Sequence, residues 1–183
     1  MTALGHLCAI WSALEFHVDQ VIWELANVER YAGACLTGQM IGPGPRGRAL
    51  VALVGVRNGN KALIKDFNAF AREFGELGAA RNRYVHDAYG YDPIAQEMKR
   101  VHKTADKVLK FDIEPFSVAD IHELHDKITD LVRRFDDLYF QMLDELPPWP
   151  RTQYEQSPGI FTRRTDRRTT PKAPARPRRS SRV

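Results

Sequence analysis

Residues 63–86 read LIKDFNAFAREFGELGAARNRYVH, in which Leu63, Phe67, Phe70, Phe74 and Leu77 recur at alternating steps of four and three. That spacing marks one face of an α-helix, and a face so rich in phenylalanine predicts packing against other helices. The next step falls on Arg81 and the one after on Tyr84, then Ala88, so a guanidinium stands in register with an apolar stripe. Burying an unpaired charge is costly, and Arg81 is therefore expected to serve a purpose beyond solubility. Asn82 and His86, four residues apart, lie on one side of this helix about a turn from each other. Arg81 and His86 are five apart, about 140° around the axis; a long Arg side chain can bend toward His86, or Arg81 of one copy can meet His86 of another. The small residues Gly78, Ala79 and Ala80 predict that another helix approaches closely just upstream.

Outward from this stretch the chain is again helical. Over residues 3–32, Leu4, Leu7, Trp11, Leu14, Val18, Val21, Leu25 and Val28 make an unbroken heptad seam, with Ile10, Phe16, Ile22 and Trp23 off it, so this helix should meet several partners or its own copy. Gly33 to Gly47 reads as a loop with a short helical turn around 34–40, and Gly42-Pro43-Gly44-Pro45 as a connector, not a phosphate cradle. Arg46 to Val56 is assigned to helix, and the motif helix to residues 61–89. Met98 to Lys103 and Val108 to Ile113 alternate around Ala105-Asp106-Lys107, which predicts a small β-hairpin lying on the bundle. Ser117 and Asp120 make a capping-box signature opening a helix whose face carries Val118, Ile121, Leu124, Ile128, Leu131, Phe135, Leu138 and Met142, and Pro147-Pro148 stops it. The expected fold class is all-α: four to five helices with a hairpin insert, one domain over 1–150.

Arg, Asn, three further residues and His on a helix of a small all-α protein resembles the signature of the HEPN superfamily, the helical domains of many prokaryotic toxins and RNA-processing enzymes. The resemblance runs over roughly residues 4–146 in helix order. It implies a metal-independent ribonuclease site built across a homodimer from Arg81, Asn82 and His86, a 2′,3′-cyclic phosphate product, and no cofactor. A toxin or defence role, with an antitoxin as partner, is a further implication. Some toxin members carry a tyrosine two residues after the His; here Tyr89 stands three after His86. Asp87, adjacent to His86, is an expected partner that would raise its pKa.

The net charge of +4 is unevenly spread. Residues 151–183 hold ten Lys and Arg against two Asp and Glu, leaving 17 of the 27 basic and 21 of the 23 acidic groups to residues 1–150, which are net −4. With few aliphatic residues and many Arg, Pro, Thr and Ser, 151–183 is expected to be a disordered basic tail. Its Arg163, Arg164, Arg167, Arg168, Arg178 and Arg179 are candidate RNA contacts through phosphate charge, a salt-sensitive interaction; the bland counterpart is a solubilising extension. Cys8 and Cys35 lack metal-ligand spacing and are read as buried free thiols. His122 and His125 are three apart, which fits neither the two-His zinc signature nor a Glu-x-x-His pair, so this is read as a solvated helix face and no metal is expected. Trp11, Trp23 and the phenylalanines are read as core and not as a base-stacking platform. No apolar run reaches membrane-spanning length, and the first residues lack a signal-peptide pattern, so a cytoplasmic protein is expected. Two rival readings accompany the endonuclease: a non-catalytic HEPN-like module that binds nucleic acid or nucleotide, and a helical interaction protein.

Overall fold

The computed structural model describes residues 2–106 and 108–146, and at 104–106 and 108 the backbone alone. Its organising element is α1 (Ala3–Ala26), which packs against every other helix. The heptad seam explains this: Leu7, Trp11, Leu14, Val18, Val21 and Leu25 are buried, as are Ile22 and Trp23 beside it. The single helix expected to run to residue 32 stops earlier. Asn27 adopts the left-handed conformation (φ 52°) and turns its amide back onto the carbonyls of Glu24 and Trp23, a local hydrogen-bonding solution that a short polar side chain tolerates.

Glu29 then caps α2 (Arg30–Thr37), a helix where a loop with one turn was expected. Trp23 fixes its position, donating from Nε1 to Thr37 Oγ1 at 3.1 Å. Gly33 lies over the indole so closely that a Cβ there would fall 2.4 Å from Trp23 Cγ. Gly42, at φ 75°, turns the chain into α3 (Pro43–Arg57), three residues earlier than anticipated because Pro43 serves as a first-turn proline. Arg46 of α3 closes the corner: it donates to Asp19 on α1 at 2.8 Å and to the carbonyls of Thr37 and Gly42.

Asn60 caps α4 (Lys61–His86) by accepting from the amides of Ala62 and Leu63. Leu63, Phe67, Phe70 and Phe74 enter the core as predicted, Phe74 stacked on Trp11 and Phe70 on Phe135 with centroids 5.0 and 4.5 Å apart. At 3.6 residues per turn the stripe then drifts, and burial passes to Gly78 while Leu77 is half-buried. A Cβ on Gly78 would stand 2.7 Å from Pro43 and 2.9 Å from Trp11, so the close approach expected there is made within the chain. In α5 (Val118–Glu145), Ile121, Leu124, Ile128, Leu131, Phe135 and Met142 are buried against α1 and α4, whereas Val118 is exposed. Ser117 Oγ caps it through the Ala119 amide, two residues on, where a capping box would use the third.

The expected hairpin is one part of a three-stranded antiparallel sheet in the order β1 (Ala88–Asp92), β2 (Glu97–Asp106), β3 (Val108–Pro115). The first two residues of β1, Ala88 and Tyr89, are ones that periodicity assigns to the end of α4. Asp87 is already extended (ψ 152°), so the helix ends at His86 and Tyr89 belongs to the sheet. The architecture is therefore a five-helix assembly with a small sheet, and not purely α. No helix among the described residues is long and apolar enough to cross a membrane. The tail expected over 151–183, with its candidate arginines, lies outside the described residues.

Candidate functional site

The C-terminal turn of α4 carries the three residues singled out by sequence. Arg81 is half-buried; its Nη1 donates to Asn82 Oδ1 at 3.0 Å, and its Nε is shut off from solvent without a hydrogen-bond partner. Asn82 and His86 are exposed. Among the described residues no hydrogen bond or ion pair joins Arg81 to His86 within one chain, and none holds the His86 ring. The carboxylates that could have absorbed these groups do not. Glu123 pairs with Lys127, and Asp120 lies with Glu123, Tyr84 and Lys127 around a separate recess. Asp87, expected to pair with its neighbour His86, instead receives His102 Nδ1 at 3.0 Å.

That exchange belongs to a charge network where α4 meets the sheet, and the sequence reading missed it. Residues directly opposite in an antiparallel pair share a face, and the β2–β3 register sets Arg100 opposite Glu114 and His102 opposite Asp112. On that face Arg100 donates to Glu114 at 2.5 Å and approaches Asp87 at 3.7 Å, while Arg83 from α4 donates to Glu114 at 3.2 Å. The guanidinium of Arg100 is almost fully buried and lies 4.4 Å over the ring of Tyr84, so its Nε and Nη1, which lack hydrogen-bond partners, belong to a group held against a π-face. Arg100, then burial working against it, then Arg83, hold the Glu114 carboxyl below its usual range. Burial opposes the charge on Arg100, but Glu114, Tyr84 and Asp87 outweigh that and raise its pKa. Tyr89 donates to the Tyr84 carbonyl and packs edge-on against Phe116. Burial raises its pKa, and its hydroxyl is thereby turned to the helix end and not to His86. A turn centred on Asp106, as the alternation suggests, would set Arg100 opposite Asp112, so the Arg100–Glu114 register was not recoverable from the hairpin pattern, and the contribution of Arg83 and Asp87 required knowing where the helix stops.

On the opposite face of the sheet, His86, Asp87 and Ala88 meet Val101, Lys103 and Phe111 around a recess of about 310 Å³. Phe111 stands opposite Lys103 in the register and is 60% exposed, between the equally open Leu109 and Ile113. The reading of all phenylalanines as core thus fails at Phe111, and also at Phe16 and Phe140. Cys8 is half-buried and Cys35 exposed, where buried thiols were expected. His122 is exposed, His125 turns to Asp126, and no group of three or more His, Cys, Asp or Glu gathers as a metal site among the described residues. No protein-family model, curated protein or solved structure matches the chain.

Proposed function

We propose that the chain is a HEPN-like, metal-independent RNA endonuclease that works as a homodimer, with Arg81, Asn82 and His86 as its catalytic residues. The observation that carries this reading is the division of labour at the end of α4. Asp87, Glu114 and Glu123 are engaged by His102, Arg100, Arg83 and Lys127, Asp120 faces a separate recess, and His86 is left open to solvent while Arg81 is ordered against Asn82. An imidazole left open in this way can serve as base or acid.

In the proposed reaction the ribose 2′-oxygen, losing its proton to a neutral His86, attacks the adjacent phosphorus as the bond to the 5′-oxygen breaks. The leaving 5′-oxygen takes a proton from water, the His86 imidazolium returns its own to solvent, and the products are a 2′,3′-cyclic phosphate and a 5′-hydroxyl, with no net redox change. Arg81 would stabilise the charge building on the phosphoryl oxygens, and Asn82 would orient Arg81 through the bond it already accepts. Since Arg81 and His86 do not meet within one chain, each site would draw Arg81 from one copy and His86 from another.

The same separation favours a second reading, in which the helix end binds nucleic acid or nucleotide without cutting. Incubating the full chain with labelled RNA in the presence of chelator decides between them. The endonuclease predicts cleavage that His86→Ala and Arg81→Ala both abolish. Binding without cleavage supports the second reading, and cleavage that survives in both variants or requires a divalent metal rejects the first. A toxin or defence role, with an antitoxin partner, would follow from the first reading only.

A further inference from the structure

The recess beside His86 combines features that a purely structural sheet face does not need. Phe111 presents an open aromatic ring, and Lys103 stands directly across the ladder from it on the same face. Lys103 makes no ion pair among the described residues, unlike Lys99, two positions earlier, which is held by Asp92 and Glu97. Asp87, the one carboxylate among the described residues lining the recess, is engaged from the other side by His102 and Arg100. The exposed surface is therefore apolar and aromatic with an uncommitted cation, next to an uncommitted imidazole.

We propose that this face is a subsite for single-stranded RNA, in which one base stacks on Phe111, its phosphate is held by Lys103, and the neighbouring ribose lies at His86. Stacking on an exposed aromatic beside a backbone-tracking cation is the way single-stranded nucleic acids are held without sequence preference. A paired duplex cannot offer a free base to Phe111, so the substrate class is unpaired RNA in a loop, bulge or linear strand. The placement of the ribose rests on the endonuclease reading; the stacking and phosphate contacts do not. A second copy seated on Phe111 itself, the other conceivable occupant of an exposed apolar face, would leave Lys103 covered without a partner charge.

The test uses the full chain and a short 2′-O-methyl oligoribonucleotide, which cannot be cut, carrying 2-aminopurine. Binding should quench the fluorophore by stacking. Phe111→Ala should remove the quenching and weaken binding about tenfold or more, while Phe111→Trp retains both and Leu109→Ala leaves both near wild type. Lys103→Gln should weaken binding and lower the salt slope by about one phosphate contact. Wild-type binding by both Phe111→Ala and Lys103→Gln overturns the proposal. So does a Phe111→Ala protein whose sedimentation changes while its RNA affinity does not, since the face is then an interface between copies. Unmodified RNA separates the two claims: binding that depends on Phe111 without any cleavage keeps the subsite and rejects the endonuclease, and cleavage with binding indifferent to Phe111 and Lys103 does the reverse.

Discussion

Gly33 and Gly75 both sit inside helices, yet substitution should act on them in opposite directions. A methyl at Gly33 would fall 2.4 Å from the Trp23 ring, which cannot swing away without losing its bond to Thr37. Overpacking of about 1–3 kcal/mol then exceeds the roughly 1 kcal/mol that alanine gains over glycine in a helix, and Gly33→Ala should lower the urea midpoint. Gly75 has nothing within 4 Å of its would-be Cβ, so Gly75→Ala should raise that midpoint, by about 0.5–1 kcal/mol of stability. Asp19 and Arg46 form an enclosed ion pair, each side chain under 15% exposed. Asp19→Ala would strand the guanidinium and should cost about 3–5 kcal/mol in denaturant unfolding. These partners were invisible in sequence, because a pairing across 27 positions leaves no periodic trace. The core positions Leu63, Phe67, Phe70 and Phe74 were legible for the converse reason: helical spacing alone records them. The exposed state of Phe111 was not, since an alternating strand reads the same whether its apolar side is covered or bare.

At the level of elements, the helix ends decided which expectations held. Periodicity cannot detect Asn27 turning left-handed or Asp87 extending, and both changed the local assignment: one long helix became α1 and α2, and the last turn of α4 became β1. The consequence at the site is direct, because an extended Asp87 reaches His102 while a helical one would have stayed beside His86. The turn joining β1 to β2 offers a pH test. Lys99, followed by the amides of Ala95 and Ile94, lowers the Asp92 carboxyl to about 2 from an ordinary 3.8. A depressed folded-state pKa adds stability that is complete above the unfolded value and is lost as pH falls through the folded one. The turn should therefore hold at pH 4 and loosen toward pH 2, seen as a shift of the Asp92 carboxyl resonance with that midpoint. Asp92→Asn should abolish the titration, and an ordinary midpoint near 4 would refute the account.

For the molecule as a whole, the proposed site is divided between copies, and this makes its own prediction. Arg81→Ala chains, which keep His86, mixed with His86→Ala chains, which keep Arg81, should recover part of the cleavage that neither shows alone, because one of the two sites in a mixed dimer is then whole. No recovery on mixing, in proteins shown to exchange subunits, would place both groups in a single chain. The helical character was legible from sequence over most of the described length, whereas the shared site was only implied by resemblance, since symmetry between copies is not written in one chain. The placement of α1 carries a different consequence. One of its neighbours, α5, comes after more than 90 intervening residues, so during synthesis the apolar side of α1 emerges long before that helix can pack on it. A nascent chain halted ahead of residue 118 should therefore be sticky and a client for chaperones, and it should lose that affinity once α5 has left the ribosome.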